Sequence, residues 1–309
     1  MKLKLYRYQF SAMGSPCALR FYHNNEIQAR GIYQSAVDEM KRLEDKYSRY
    51  LDSSLLTKIN NNAGIQAVSI DTETYRLLAY AEQAYQISDG LFDITTGVLR
   101  KVWDFKSAKI PSQESIEKQL CFVNWKSVQW NENSIFLPDK GMELDFGGIV
   151  KEYAADALAT LLKRFDVTRG VVDLGGDIHV IGPDITGKPW QIGIRDPLYK
   201  KVSNKNAAMK QQQAVANIPM SAGGLASSGD YERNFIVNGK KYSHILNPKT
   251  GWPALGLSAV SVCSEQTIIA GTIATIAMLK QKQGIAWLKE LEVPFFAMDN
   301  ENKRYRSEQ

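Results

Sequence analysis

Turn signals that fold apolar alternation back on itself constrain this chain more than any other feature. Residues 3 to 22 read as two short strands around Met13-Gly14, and "RNFIVNGKKYSHIL" reads as a hairpin over Asn238-Gly239, a pair that suits the turn matching strand twist. A glycine-rich pair, "RGVVDLGGDIHVIG" and "PWQIGIRDP", adds further strands. Between them lie amphipathic helices. One runs from about Asn25 to Tyr47, with Ile27, Val37, Met40 and Leu43 at helical intervals. A second is capped by Asp71 and stopped by Gly90, and a third runs on from Gly147-Gly148 with Ala154, Leu158 and Leu161-Leu162 as its buried side. Residues 105 to 143 read as short strands and turns. The strand "GLSAVSVCS", helices over about 265–279 and 283–291, and the strand "VPFFAMD" complete the chain. Strands grouped into hairpins with helices interspersed give an α+β fold, with mixed or antiparallel sheets flanked by helices rather than regular βαβ winding. The 309 residues suffice for one large domain or two packed subdomains, and residues 200–213, "KKVSNKNAAMKQQQ", read as a loop insertion for want of apolar periodicity.

Composition enters mainly by exclusion. With 44% hydrophobic and 23% charged residues the chain is an ordinary globular protein. Its net charge of +5 is spread thinly, without the basic run of a nucleic-acid binder, and small anionic ligands stay open. Cys17, Cys121 and Cys263 lie too far apart in sequence for a zinc or redox spacing, and read as reduced thiols. The N-terminus alternates like a strand and has no long apolar core or lipid-modified cysteine, so the expectation is a cytoplasmic protein without a transmembrane segment.

Chemistry concentrates at a few points. His244 ends a strand, and Asn247-Pro248 turns the chain just beyond it, which sets the imidazole at a sheet rim. There it serves either as a base toward a hydroxyl or as a hydrogen-bond partner of a nearby loop; for a lone histidine the second is the commoner role. His23 and His179 have weaker context, and no paired-histidine metal spacing occurs. In "LDFGGIVKEY", Gly147 and Gly148 allow close backbone approach and the helix start favours an anion, so the segment is either a phosphate or ribityl cradle or simple turn chemistry. "GLFDITTG" offers an aromatic, a carboxylate and two hydroxyls, while Asp173 and Asp177 flank two glycines.

Taken in order, Met13-Gly14, "YSRYLDSSLLTKIN", "FDITTG", "LDFGGIVKEYAAD", "VVDLGGDIHVIG", "WQIGIRDP", "LASSGDYER", "HILNPKTGWP" and "AGTIATIAM" resemble the ApbE family of FAD:protein FMN transferases over nearly the whole chain. The resemblance implies a single catalytic unit of ApbE-like, T-fold-related architecture around a central FAD cleft. It implies transfer of FMN from FAD to a threonine or serine hydroxyl of a target flavoprotein, with magnesium assisting and AMP released. His244 matches the histidine credited with the proton transfer. Met13, Tyr50, Leu91, Phe92, Asp93, Asp145, Lys151 and Ile245 match FAD contacts, and Gly148 and Thr275 match metal-holding positions. The alternatives are an FAD pyrophosphatase yielding FMN and AMP, and a non-catalytic FAD-binding protein.

Three departures stand out. The family pattern places an aspartate four residues before Thr275, where this chain has Gly271; restoring it with Gly271→Asp is expected to tighten magnesium. Glu152 stands where glycine is usual after the lysine, and is expected to turn away from the ligand and pair with a surface lysine. Ser15 replaces a threonine and keeps the hydroxyl.

Overall fold

The computed structural model describes residues 2–197, 214–231 and 233–307, so the loop expected over 200–213 lies outside the described residues. Eight strands form one antiparallel sheet in the order Lys4–Ala12, Ser15–His23, Gly170–Leu174, Asp177–Gly182, Gly223–Gly229, Leu257–Ser264, Phe295–Asp299 and Arg304–Arg306. Hairpins supply the outer neighbours, as the turn signals imply. Met13 (φ 49°) and Gly14 (φ 69°) take left-handed backbone between the first two strands, and Gly175 (φ 70°) and Gly176 (φ 103°) do so between the third and fourth.

The glycine-rich stretch differs from its expected pairing. "RGVVDLGGDIHVIG" is itself a hairpin, and Trp190–Arg195 pairs instead with Ala214–Met220 in a separate two-stranded ribbon. That ribbon gives the sheet a second buried face. Val172 and Leu174 point into the core shared with the helices, while Val171, Ile178 and Val180 pack with Ile192, Ile194 and Met220 of the ribbon. Burial on both faces is why these central strands read as nearly continuous apolar runs.

The helices begin close to where their caps predict. Asn25 and Asp71 each accept a backbone N–H at the start of Glu26–Tyr47 and Thr72–Ile87, although the second ends before Gly90, at Ser88. In the stretch expected to hold only strands and turns, a helix forms over Gln113–Leu120 with Ile116 as its one buried residue. The helices Val150–Arg164 and Thr267–Leu279 pack against the sheet and against each other. Asp156 joins them, its two carboxylate oxygens accepting from the N–H groups of Thr267 (2.8 Å) and Ile268 (3.0 Å). No helix among the described residues is long and apolar enough to cross a membrane.

Candidate active site

His244 follows the strand Lys240–Ser243, and the loop beyond it is held from several directions. Asn247 N–H donates to Trp252 O (2.9 Å), Gly251 N–H to Asn247 O (2.8 Å) and Ala254 N–H to Ile245 O (2.8 Å). The Trp103 indole N–H donates to Gly251 O (2.7 Å). Gly251 is required twice over, by φ 70° and because a Cβ there would lie 2.3 Å from Ile116. Beneath the hairpin, Trp103, Phe235, Tyr242 and Trp252 form an aromatic cluster. The loop is therefore a rigid mount for the imidazole.

The half-buried His244 ring has Nδ1 3.3 Å from the Arg233 carbonyl. An Nδ1–H tautomer donating there carries its lone pair on Nε2, the form a general base needs. Arg233 also acts electrostatically on Tyr50, whose ring is 76% exposed. Arg49 donates a hydrogen bond to the Tyr50 hydroxyl (2.9 Å), and this bond above all pulls the phenol below its usual range. The same guanidinium forms an ion pair with Asp145. Arg49 thus ties Tyr50 to Asp145, which lies 96 residues beyond Arg49 in sequence, a link the motif "YSRY" contains but does not announce.

Asp145 is fixed from both sides: its N–H donates to Ile94 O (2.8 Å), and its Oδ1 accepts from Gly147 N–H (2.9 Å). Gly147 therefore shapes the turn rather than offering its N–H to a ligand. The helix that follows has no side-chain N-cap. Lys151, at its second position, reaches the Gly175 turn, pairing with Asp177 and donating to Leu174 O (3.3 Å). That turn packs against the Met13-Gly14 hairpin, since a Cβ on Gly175 would lie 2.7 Å from Ser15 Cβ. Met13 N–H is anchored on Glu44 (3.1 Å).

The remaining expected residues divide. Ile245 is buried in a cluster with Ile273, and Leu91 packs against it. Phe92 is a core residue lining Gly148, where a Cβ would meet its ring at 3.5 Å. Asp93 points inward; its carboxylate accepts from Thr95 N–H (2.7 Å), the Thr95 hydroxyl (2.5 Å) and Trp125 N–H (3.4 Å), and burial raises its pKa. It shapes the loop that carries Leu91 and Phe92.

The ApbE family model matches residues 13–296. The chain belongs to the ApbE family. The FAD:protein FMN transferase of Klebsiella pneumoniae (strain 342) is 29% identical over 295 residues, covering 94% of this chain and 87% of that protein. A crystal structure of the ApbE protein of Thermotoga maritima superposes with a TM-score of 0.84 at 29% identity, covering 99% of this chain and 97% of that one. The apo flavinyl transferase ApbE of Pseudomonas stutzeri shares the fold with a TM-score of 0.86 at 22% identity, covering 100% of this chain and 96% of its own.

The ApbE-like sites of departure read differently in three dimensions. Glu152 does not pair with a surface lysine. It is 8% exposed, its Oε2 is buried without a hydrogen-bond partner, and burial, followed by the nearby Asp177 carboxylate, pushes its acid well above the usual range. Its side chain lies against Gly271, where an added Cβ would stand 2.6 Å from Glu152 Cγ and 3.0 Å from Oε1. Gly271→Asp alone would therefore have to displace the Glu152 side chain from the space it fills. No cluster of three His, Cys, Asp or Glu side chains suited to a metal occurs among the described residues. A separate open cavity of about 1350 Å³, lined by Asp156, His179, Met220, Cys263 and Gln266 among others, contains none of the expected site residues.

Proposed function

We propose that this chain is an FAD:protein FMN transferase, joining FMN from FAD to a threonine or serine hydroxyl of a flavoprotein with release of AMP. The observation that carries the reading is His244, held on a rigid loop at a rim shared with Arg233, Tyr50 and the Arg49–Asp145 pair. His244 takes the proton of the acceptor hydroxyl as that oxygen attacks the flavin-side phosphorus. An O–P bond forms, the pyrophosphate bridge breaks, and AMP leaves with the bridging oxygen. The exposed Tyr50 ring offers an aromatic face to the dinucleotide, and the Met13 and Gly175 turns, joined through Ser15, border it near Lys151.

Magnesium fits the donors present: hard oxygens, with an unpartnered carboxylate oxygen in the same contact between helices. The Gly148 carbonyl and the Thr275 hydroxyl would hold it, where it would neutralise charge developing on the phosphates.

Incubation with FAD, magnesium and a flavoprotein carrying an acceptor threonine tests the reading. Covalent flavin fluorescence on the acceptor is expected. His244→Ala is expected to lower its rate by on the order of 10²–10⁴ while FAD still binds. Release of free FMN and AMP with no labelled acceptor would instead make the chain a hydrolase.

A further inference from the structure

The helices Val150–Arg164 and Thr267–Leu279 meet antiparallel in a regular step. Asp156 binds the N–H groups of Thr267 and Ile268, and four residues earlier Glu152 lies against Gly271, four residues later. Gly148, in the turn that leads into the first helix, and Thr275, one turn further along the second, are the next positions along the two segments. The backbone bonds at this entry run from Val150 to Phe146 and from Tyr153 to Ile149; among the described residues they leave out the Gly148 carbonyl. The Glu152 carboxylate thus occupies the contact between the two helices on the side of the Gly148 turn and Thr275.

The charge balance there is incomplete. Lys151, the residue before Glu152, pairs with Asp177 and donates to the Leu174 carbonyl, so one ammonium serves two carboxylates. Glu152 adds a second carboxyl group, more than nine-tenths buried, with one oxygen lacking any hydrogen-bond partner. Such a group needs either a cation or a proton. Gly271 is the complement of this side chain, because any Cβ at that position would displace it.

We propose that Glu152 is the anionic ligand of a divalent-cation site completed by the Gly148 carbonyl and the Thr275 hydroxyl, its carboxylate filling the space beside Gly271. The charge expected from the helix Thr267–Leu279 comes instead from the facing helix, and the two sequence departures are one exchange. This inference rests on the cation-assisted reading of the site, but its test does not depend on transfer.

Binding of Mn²⁺ alone, followed by loss of the free-ion electron paramagnetic resonance signal with and without FAD, reads the site directly. Glu152→Gln, nearly isosteric but uncharged, is expected to weaken Mn²⁺ binding about tenfold or more. The exchanged variant Glu152→Gly with Gly271→Asp is expected to recover binding to within several-fold, whereas Gly271→Asp alone does not improve it. Equal Mn²⁺ affinity in Glu152→Gln and the parent chain would overturn the proposal, as would a parent chain that binds no Mn²⁺ in either condition. In both cases covalent labelling of an acceptor would still judge the transferase reading separately.

Discussion

Glu73, on the helix Thr72–Ile87, and Glu152, on the helix Val150–Arg164, are both sheltered carboxylates joined through Tyr153, yet their surroundings are opposite. Glu73 accepts from Arg42 Nη2 (2.7 Å) and Nη1 (2.9 Å), from Lys46 Nζ (2.7 Å) and from the Tyr153 hydroxyl (2.9 Å). Tyr153 is the residue after Glu152, which points to the other helix and leaves an oxygen without a partner. Asp156, one turn on, is again fully engaged, by two N–H groups and by His179 (2.7 Å). A protein that satisfies two carboxylates this thoroughly and leaves the one between them incomplete separates structural anions from one kept for a ligand.

Removing the satisfied anion should have the largest effect. Glu73→Ala strands Arg42, Lys46 and Tyr153 and is expected to lower stability by about 2 kcal/mol in urea unfolding, less than a fully buried pair because Arg42 is partly solvated. Its pH signature has a definite sign. The Arg42 hydrogen bonds, before other causes, hold the Glu73 pKa down from 4.5 to about 2. The unfolded chain therefore binds more protons in that window, and the stabilisation, complete above about 4.5, is lost as pH falls toward about 2. Glu73→Gln should flatten this acid limb; a midpoint that falls between about pH 5 and 3 as steeply in Glu73→Gln as in the parent would break the comparison.

Asp156→Ala is expected to cost about 1–2 kcal/mol, the range for losing a helix N-cap, because Asp156 supplies from a distance the cap that Gln266 does not. The same variant should also loosen the register that sets Glu152 against Gly271. A drop in thermal midpoint with unchanged Mn²⁺ binding would show that the register is fixed by packing alone.

How much of this was legible in sequence follows from range. Asn25 and Asp71 could be read as caps because the N–H groups they satisfy lie three residues away. The hairpins at Met13-Gly14 and Asn238-Gly239 were likewise local. The helix Gln113–Leu120 was missed because a single buried residue, Ile116, leaves no periodicity to detect. The ribbon strand Ala214–Met220 was missed because the polar stretch between residue 195 and residue 214 separates it from its partner, Trp190–Arg195, and hides the pairing from local turn signals. In the candidate site, Asp145, Lys151 and His244 carried motif signals. Arg49 did not, since its role depends on Asp145 far along the chain. Glu152 and Gly271 were each visible as oddities, but only helix packing reveals that one fills the space of the other.

The smallest expected effect is also the most discriminating. Glu152→Gln keeps the side-chain volume beside Gly271 and removes a carboxylate whose Oε2 has no hydrogen-bond partner. In metal-free protein its thermal midpoint should match the parent's to within about 0.5 kcal/mol, because burial favours the uncharged acid, which the amide resembles in size and polarity. With saturating Mg²⁺ the two should separate, since a cation bound only by the folded parent raises its midpoint by mass action. A structural carboxylate would lose stability in both conditions, as Glu73→Gln should. Loss of stability by Glu152→Gln without metal would place Glu152 beside Glu73 and remove the contrast between them.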